Sequence, residues 1–251
     1  MRCGRLRCNL SPPTTSAAAK GTGNVSDPSS RQRKDALFEQ FARITKALAS
    51  PRRLEIVDVL AQGERSVESL ADAIGQSLAN TSRHLQTLRA AQLVTVRREG
   101  LHAYYRLADD EVVDLWRAVR GLAERRLAEV ERAARAYLGD TASLRTLGAA
   151  ELSALLASGQ VVLLDVRPEQ EYRAAHIPGA RSMPVEDLAE RLPELPAGLP
   201  VVAYCRGPYC VMSIEALELL EASGRRAYRL EAGVPEWRAA GHPTTEARAD
   251  A

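Results

Sequence analysis

The chain has 251 residues, 45% of them apolar and 26% charged, with a formal net charge of +2 at pH 7, which suits two ordinary soluble domains and excludes a fibrous chain or one disordered throughout. No apolar run approaches the roughly 18 residues that span a membrane, and the basic N-terminus lacks the apolar stretch of a secretory signal, so a cytoplasmic protein with no membrane partner is expected. Residues 1–140 hold 23 Lys/Arg against 17 Asp/Glu and the remainder 11 against 15, an asymmetry that fits the front half to a polyanionic partner.

Residues 1–32 are rich in Ser, Thr, Pro, Ala, Gly and Arg and cannot bury enough surface to offset ordering entropy, so a disordered tail is expected. Cys3 and Cys8 lie in it and read as incidental thiols rather than soft-metal ligands. Residues 33–108 form the next unit. Leu37, Phe38, Phe41, Ile44 and Leu48 recur at helical spacing from Asp35 onward. Ser50-Pro51 opens a second helix that ends at Gly63. Ser66–Ile74 predicts a third helix stopped by Gly75, and Ser77 caps a fourth in which Leu78, Leu85 and Leu88 face inward.

After Leu93 the period changes to two, with Val94 and Val96, a turn at Glu99-Gly100, then Ala103, Tyr105 and Leu107; this predicts a β-hairpin. Asp109–Leu138 reads as one long helix in a connecting segment, 109–140. Residues 141–251 alternate strand and helix, at Val161–Asp165, Glu169–Arg173, Ser182–Pro184, Val185–Leu192, Val201–Cys205, Val211–Ser223 and Ala227–Leu230, which predicts a parallel sheet flanked by helices. The expected fold class is therefore a mainly α winged helix-turn-helix followed by an α/β domain.

Two helices joined at Gly75-Gln76 and followed by a basic hairpin make a DNA reader, with the second helix in the major groove and the hairpin on the backbone. Gln76, Ser77, Asn80, Thr81, Ser82, Arg83, His84 and Gln86 are the candidate contacts on that helix, and Arg97, Arg98, His102 and Tyr104 those on the wing. The run Leu48-Ala49-Ser50-Pro51-Arg52-Arg53-Leu54-Glu55-Ile56, the helix Ser77–Leu88, Arg97-Arg98-Glu99-Gly100 and Tyr104-Tyr105-Arg106-Leu107 resemble the ArsR family of bacterial repressors. That resemblance implies a homodimer on operator double-stranded DNA with inverted half-sites, paired through its first and last helices. It departs from the metal- and dithiol-sensing members, because residues 33–108 contain no cysteine and residues 109–138 no histidine. No metal or cofactor is expected, and the inducing signal should come from elsewhere in the chain.

The remaining cysteines are Cys205 and Cys210. Thiols stay reduced in the cytosol and so read as reactive groups. Cys205 falls between a buried strand and a helix start, where backbone N–H groups and the helix dipole favour thiolate over thiol. Leu164-Asp165-Val166-Arg167, Glu171-Tyr172, His176-Ile177-Pro178-Gly179-Ala180, the loop Cys205–Cys210 and Gly233-Val234-Pro235-Glu236-Trp237 resemble a single rhodanese domain. The resemblance implies that Cys205 accepts a sulfane sulfur as a persulfide, with the backbone of Gly207, Pro208, Tyr209 and Val211 cradling the anion. Arg206 is then the contact for an anionic donor such as thiosulfate or polysulfide, and Cys210 a resolving thiol; the alternative for Cys210 is only a small side chain at a helix start. Asp165, Arg167 and His176 read as scaffold. Related phosphatases and arsenate reductases need an arginine after five residues following the cysteine, a position that falls here at Val211, so phosphate or arsenate chemistry is not expected.

The resulting expectation is a transcriptional repressor whose rhodanese loop senses reactive sulfur, with the helix over 109–138 as the conduit between halves. Two rival readings are a sulfurtransferase enzyme tethered to a DNA-binding module and an inert docking domain.

Overall fold

The computed structural model describes residues 28–139, 141 and 144–246; Cys3 and Cys8 lie outside them. Helix α1 spans Pro28–Leu48 and so begins seven residues ahead of Asp35. Its first turns, Ser29-Ser30-Arg31-Gln32-Arg33-Lys34, carry no apolar period, which is why the pattern marks only its later part, while Pro28 has the fixed φ suited to a helix start.

Helix α2 (Pro51–Leu60) follows Ser50 in extended conformation. Strand β1 (Arg65–Ser66) leads into α3 (Val67–Ala73), where Ser66 Oγ accepts from the Ser69 N–H at 3.2 Å. Gly75 sits at φ +60° and turns the chain into α4 (Leu78–Ala90), capped by Ser77. Strands β2 (Val94–Glu99) and β3 (His102–Leu107) form the hairpin, in register from Val94↔Leu107 to Glu99↔His102. Short β1 adds to the other edge of β3 through Arg65↔Tyr105, a strand too brief to leave a sequence period. Ile56, Val57, Leu70, Leu85 and Leu88 are fully buried at the centre of this unit.

The expected single helix over 109–138 is two helices, α5 (Asp110–Arg126) and α6 (Ala128–Leu138), broken at Leu127 with φ −115° and ψ 103°. Neither Pro nor Gly marks the break. Its signature is charge: Arg125 and Arg126 close α5 while Glu129 and Glu131 open α6, each pair complementing a helix dipole end.

The second unit is built from β4 (Thr146–Leu147), α7 (Ala149–Ala157), β5 (Val162–Asp165), α8 (Glu169–Ala174), β6 (Arg181–Ser182), α9 (Val185–Arg191), β7 (Val201–Tyr204), α10 (Met212–Ala222), β8 (Ala227–Leu230) and α11 (Val234–Ala239). Its five parallel strands run β4-β8-β7-β5-β6. Alternate residues feed opposite faces, so Leu164 and Ala203 pack with Leu217 and Leu220 on one side, and Leu163 and Val202 with Ile177 and Trp237 on the other. The fold class is the one that the sequence pattern predicts, and Cys205 follows the carboxyl end of central strand β7. Among the described residues no helix is long and apolar enough to cross a membrane.

Candidate functional site

Cys205 is 1% exposed, at the point where β7 ends and the loop to α10 begins. Its Sγ lies 3.2 Å from Ser213 Oγ and 3.6 Å from the Cys210 carbonyl. Burial pushes its pKa up, but hydrogen bonds from the Cys210 thiol, the Ser213 hydroxyl and the backbone at Gly207 and Ser213 outweigh burial and lower it to about 7. The Cys210 thiol is raised by that same contact with Cys205 and by burial. The two cysteines are both free and touch, with Cys205 the one that loses its proton first. Gly207 sits at φ +147°. Gly233 passes so close behind the loop that a Cβ there would lie 2.3 Å from the Arg206 carbonyl oxygen.

Arg206 occupies a different position from the one its sequence role requires. Its guanidinium holds the fully buried Glu171 through Nη2 at 2.6 Å and Nε at 3.0 and 3.1 Å, so it is committed to a carboxylate rather than free for an anionic donor. Glu171 also accepts from Arg65 Nη2, and Arg65 belongs to β1, the strand that extends the wing sheet. Gln62, 3% exposed and just past α2, donates from Nε2 to the Arg206 carbonyl at 3.3 Å and accepts from Arg167 Nη1 at 2.9 Å. Tyr209 donates to Glu124 of α5 at 2.8 Å, and its hydroxyl is pushed up to about 12 by burial and then by that carboxylate. Arg120 of α5 reaches Glu236 at 2.6 Å. The loop is therefore held directly by Gln62 after α2 and by α5, and through Glu171 by β1, while the helix expected over 109–138 is interrupted at Leu127.

A cavity of about 470 Å³ lies between the loop and these helices. Pro208, Tyr209 and Cys210 line one wall and Leu54, Asp58 and Trp116 the other, with Cys205 set back behind Cys210. Asp58 accepts from Trp116 Nε1 at 2.8 Å, and burial raises its pKa. The volume is that of a small-molecule site.

On the DNA-reading surface, Ser77, Asn80, Arg83 and Gln86 are exposed, and Gln76, Ser82 and His84 are half-buried. Burial, then neighbouring Arg53, Arg83 and Arg52, lower the His84 pKa. Thr81 departs from its expected role. It is fully buried, donating from Oγ1 to the Ser77 carbonyl at 3.1 Å, whereas Leu78, expected inside, is 50% exposed. Thr81, Leu85 and Leu88 face inward, whereas Leu78, on the same side as Leu85, stands in the first turn of the helix and is left exposed. On the wing Arg98 and His102 are exposed. Arg97 is bound by Glu64 and Glu99 at 2.7 Å each and stacks 4.8 Å from the Tyr104 ring, so its charge is already neutralised.

Asp165 and Arg167 form a fully buried pair at 2.6 Å, with the Tyr204 hydroxyl donating to Asp165. His176 Nδ1 meets the Tyr172 carbonyl at 2.9 Å and its ring stacks on Tyr172, a scaffold arrangement. Five residues of the site carry no role in the sequence reading: Gln62, Arg65, Glu171, Ser213 and Arg229. Arg229 left one usable signal, a lone charge inside a four-residue buried strand.

The rhodanese-like domain model matches residues 148–240, and the model for bacterial regulatory proteins of the arsR family matches residues 50–96. The chain is 48% identical over 214 residues to the HTH-type transcriptional regulator Rv0324 of Mycobacterium tuberculosis, covering 85% of this chain and 94% of that protein. It is 42% identical over 81 residues to a transcriptional repressor SmtB homolog of Synechocystis, 32% of this chain and 61% of the relative. A solved homodimeric winged helix-turn-helix domain, Mb0332 of Mycobacterium bovis, described as a possible ArsR-family regulator, is 48% identical over 39% of this chain and 90% of its own, with a TM-score of 0.36. With the helix-turn-helix, the wing and the cysteine loop in place, and a relative this similar along nearly its whole length, the chain belongs to the ArsR family of transcriptional regulators, in a form that carries a rhodanese-like domain behind the DNA-binding half.

Proposed function

We propose that this protein is a cytoplasmic, homodimeric repressor of operator DNA whose rhodanese loop reads reactive sulfur. The Cys205 thiolate attacks the terminal sulfur of a small persulfide or polysulfide donor; its electron pair forms the new S–S bond, and the donor's S–S pair leaves on the donor thiolate. Cys210 then attacks the inner sulfur of the Cys205 persulfide anion as its thiol proton passes to the outer sulfur, forming the Cys205–Cys210 disulfide and expelling hydrosulfide, so the sulfane sulfur is itself the oxidant. The observation that carries the reading is the grip on Arg206. The residue next to the reacting sulfur is held by Gln62 at its carbonyl and, through Glu171, by Arg65 of the wing sheet. A change in loop shape at Cys205 therefore displaces groups of the DNA-binding half. Val119, Leu122, Leu127 and Tyr137, exposed on and between α5 and α6, support pairing with a second copy.

The enzyme reading keeps one supporting observation, a Cys205 thiol lowered to about 7, which also suits turnover. Peptide mapping after polysulfide treatment, beside a thiosulfate–cyanide turnover assay, separates the two. The sensor reading expects sulfur on Cys205 followed by the Cys205–Cys210 bridge, with slow turnover. Sustained turnover with no bridge would make the protein a tethered sulfurtransferase.

A further inference from the structure

Three arginines at or behind the loop are matched to carboxylates: Arg167 to Asp165, and Arg65 and Arg206 to Glu171. A fourth is Arg229 of β8, 3% exposed. Its Nε donates to Ser213 Oγ at 2.9 Å, and its Nη2 to the carbonyls of Pro208 at 2.7 Å and Gly207 at 3.4 Å. Among the described residues it forms no ion pair with a carboxylate. A guanidinium buried against neutral acceptors alone is costly, and buried charges are ordinarily paired. The acidic group on its other side is one hydroxyl away: Ser213, fully buried, stands 3.2 Å from Cys205 Sγ.

We propose that Arg229 is the counter-ion of the Cys205 thiolate and that Ser213 relays its charge. Because Arg229 Nε–H already occupies an acceptor site of the Ser213 oxygen, the Ser213 proton is directed outward, toward Cys205 Sγ or the Cys210 carbonyl 3.4 Å away. A sulfur anion at Cys205 accepts that proton and balances the guanidinium; a neutral thiol leaves the guanidinium unbalanced. The other groups facing Cys205 are the Cys210 thiol from the loop and the backbone of Gly207 and Ser213. The nearby Arg206–Glu171 and Arg167–Asp165 pairs are each neutralised internally. Arg229 also fixes two loop carbonyls, so the group that charges the sulfur also shapes the loop around it. The inference rests on the reading of Cys205 as the sulfur-accepting thiolate.

The test is the pH profile of Cys205 alkylation by iodoacetamide in the full chain. It is read by mass spectrometry after trypsin, which cuts at Arg206 and places Cys205 and Cys210 on separate peptides. The wild-type midpoint is expected near 7. Ser213→Ala and Arg229→Met should each raise it by one pH unit or more, and Arg229→Lys, which keeps the charge, by less than Arg229→Met. Should Arg229→Met fail to fold, Ser213→Ala and Arg229→Lys carry the test. A midpoint near 7 that stays put in Ser213→Ala overturns the relay and leaves the sulfur-accepting role of Cys205 intact. A wild-type midpoint at the ordinary value of about 8.5 overturns both.

Discussion

Replacing Glu171 by Gln removes one carboxylate that two arginines share. Glu171 is fully buried, and the side chain of Arg65 is 8% exposed and that of Arg206 25%. Gln keeps the shape and one acceptor oxygen but leaves two guanidinium groups without a counter-charge. Breaking a buried ion pair by removing one partner costs about 3–5 kcal/mol. For a chain of this size each kcal/mol lowers the melting midpoint by roughly 2–4 °C, so a fall of roughly 6–20 °C is expected. Either arginine can be removed alone and Glu171 still has the other. Arg206→Ala and Arg65→Ala should each cost only what a hydrogen bond to a charged group contributes, roughly 1.5–3 kcal/mol. Thermal melts and urea titrations of the three variants give the ordering directly. A Glu171→Gln loss below about 1 kcal/mol, or an Arg206→Ala loss equal to that of Glu171→Gln, would refute the shared-carboxylate account of the loop's attachment.

Further outcomes follow from the same geometry. Gly233→Ala drives a methyl into the Arg206 carbonyl, so calorimetry should record a loss of about 1–3 kcal/mol from overpacking, with slowed Cys205 alkylation; unchanged values would mean that the loop yields freely. Arg83→Ala should weaken operator binding by about 1–3 kcal/mol if Arg83 reads a base edge, whereas Thr81→Ala should lower the melting midpoint and spare binding, because Thr81 is buried. With its pKa lowered to about 7, Cys205 is protonated as pH falls through that value, so sulfur loading should be fast above it and decline below it; a stopped-flow profile flat from pH 6 to 8 would contradict this. Cys210→Ala should leave the Cys205 persulfide unresolved and long-lived in mass spectra, while a persulfide lifetime like that of the wild type would remove Cys210 from the resolving step.

Local patterns made much of this molecule readable. The hairpin of β2 and β3, the caps at Ser66 and Ser77, the turn at Gly75 and the strand–loop–helix around Cys205 are each specified by residues adjacent in the chain. The break at Leu127 was hidden because its apolar spacing runs on through it, with only the change from Arg125-Arg126 to Glu129 to mark it. Leu78 and Thr81, three residues apart, lie on the same side of α4, and polarity alone pointed to Leu78 as the inner one, whereas its place in the first turn leaves it exposed. Arg206 looked like an anion contact because its partner lies 35 residues away and that partner's second arginine a further 106 from it. Such pairings are made by tertiary packing, and no period or motif in the chain records them.

The most direct test is operator binding by fluorescence anisotropy at fixed salt, with reduced and polysulfide-treated protein compared for the wild type and Cys205→Ser. A change in affinity on treatment that disappears in Cys205→Ser is the predicted result. Equal affinity before and after treatment in the wild type, with sulfur present on Cys205, would contradict the claim that the DNA-binding half reads the rhodanese loop.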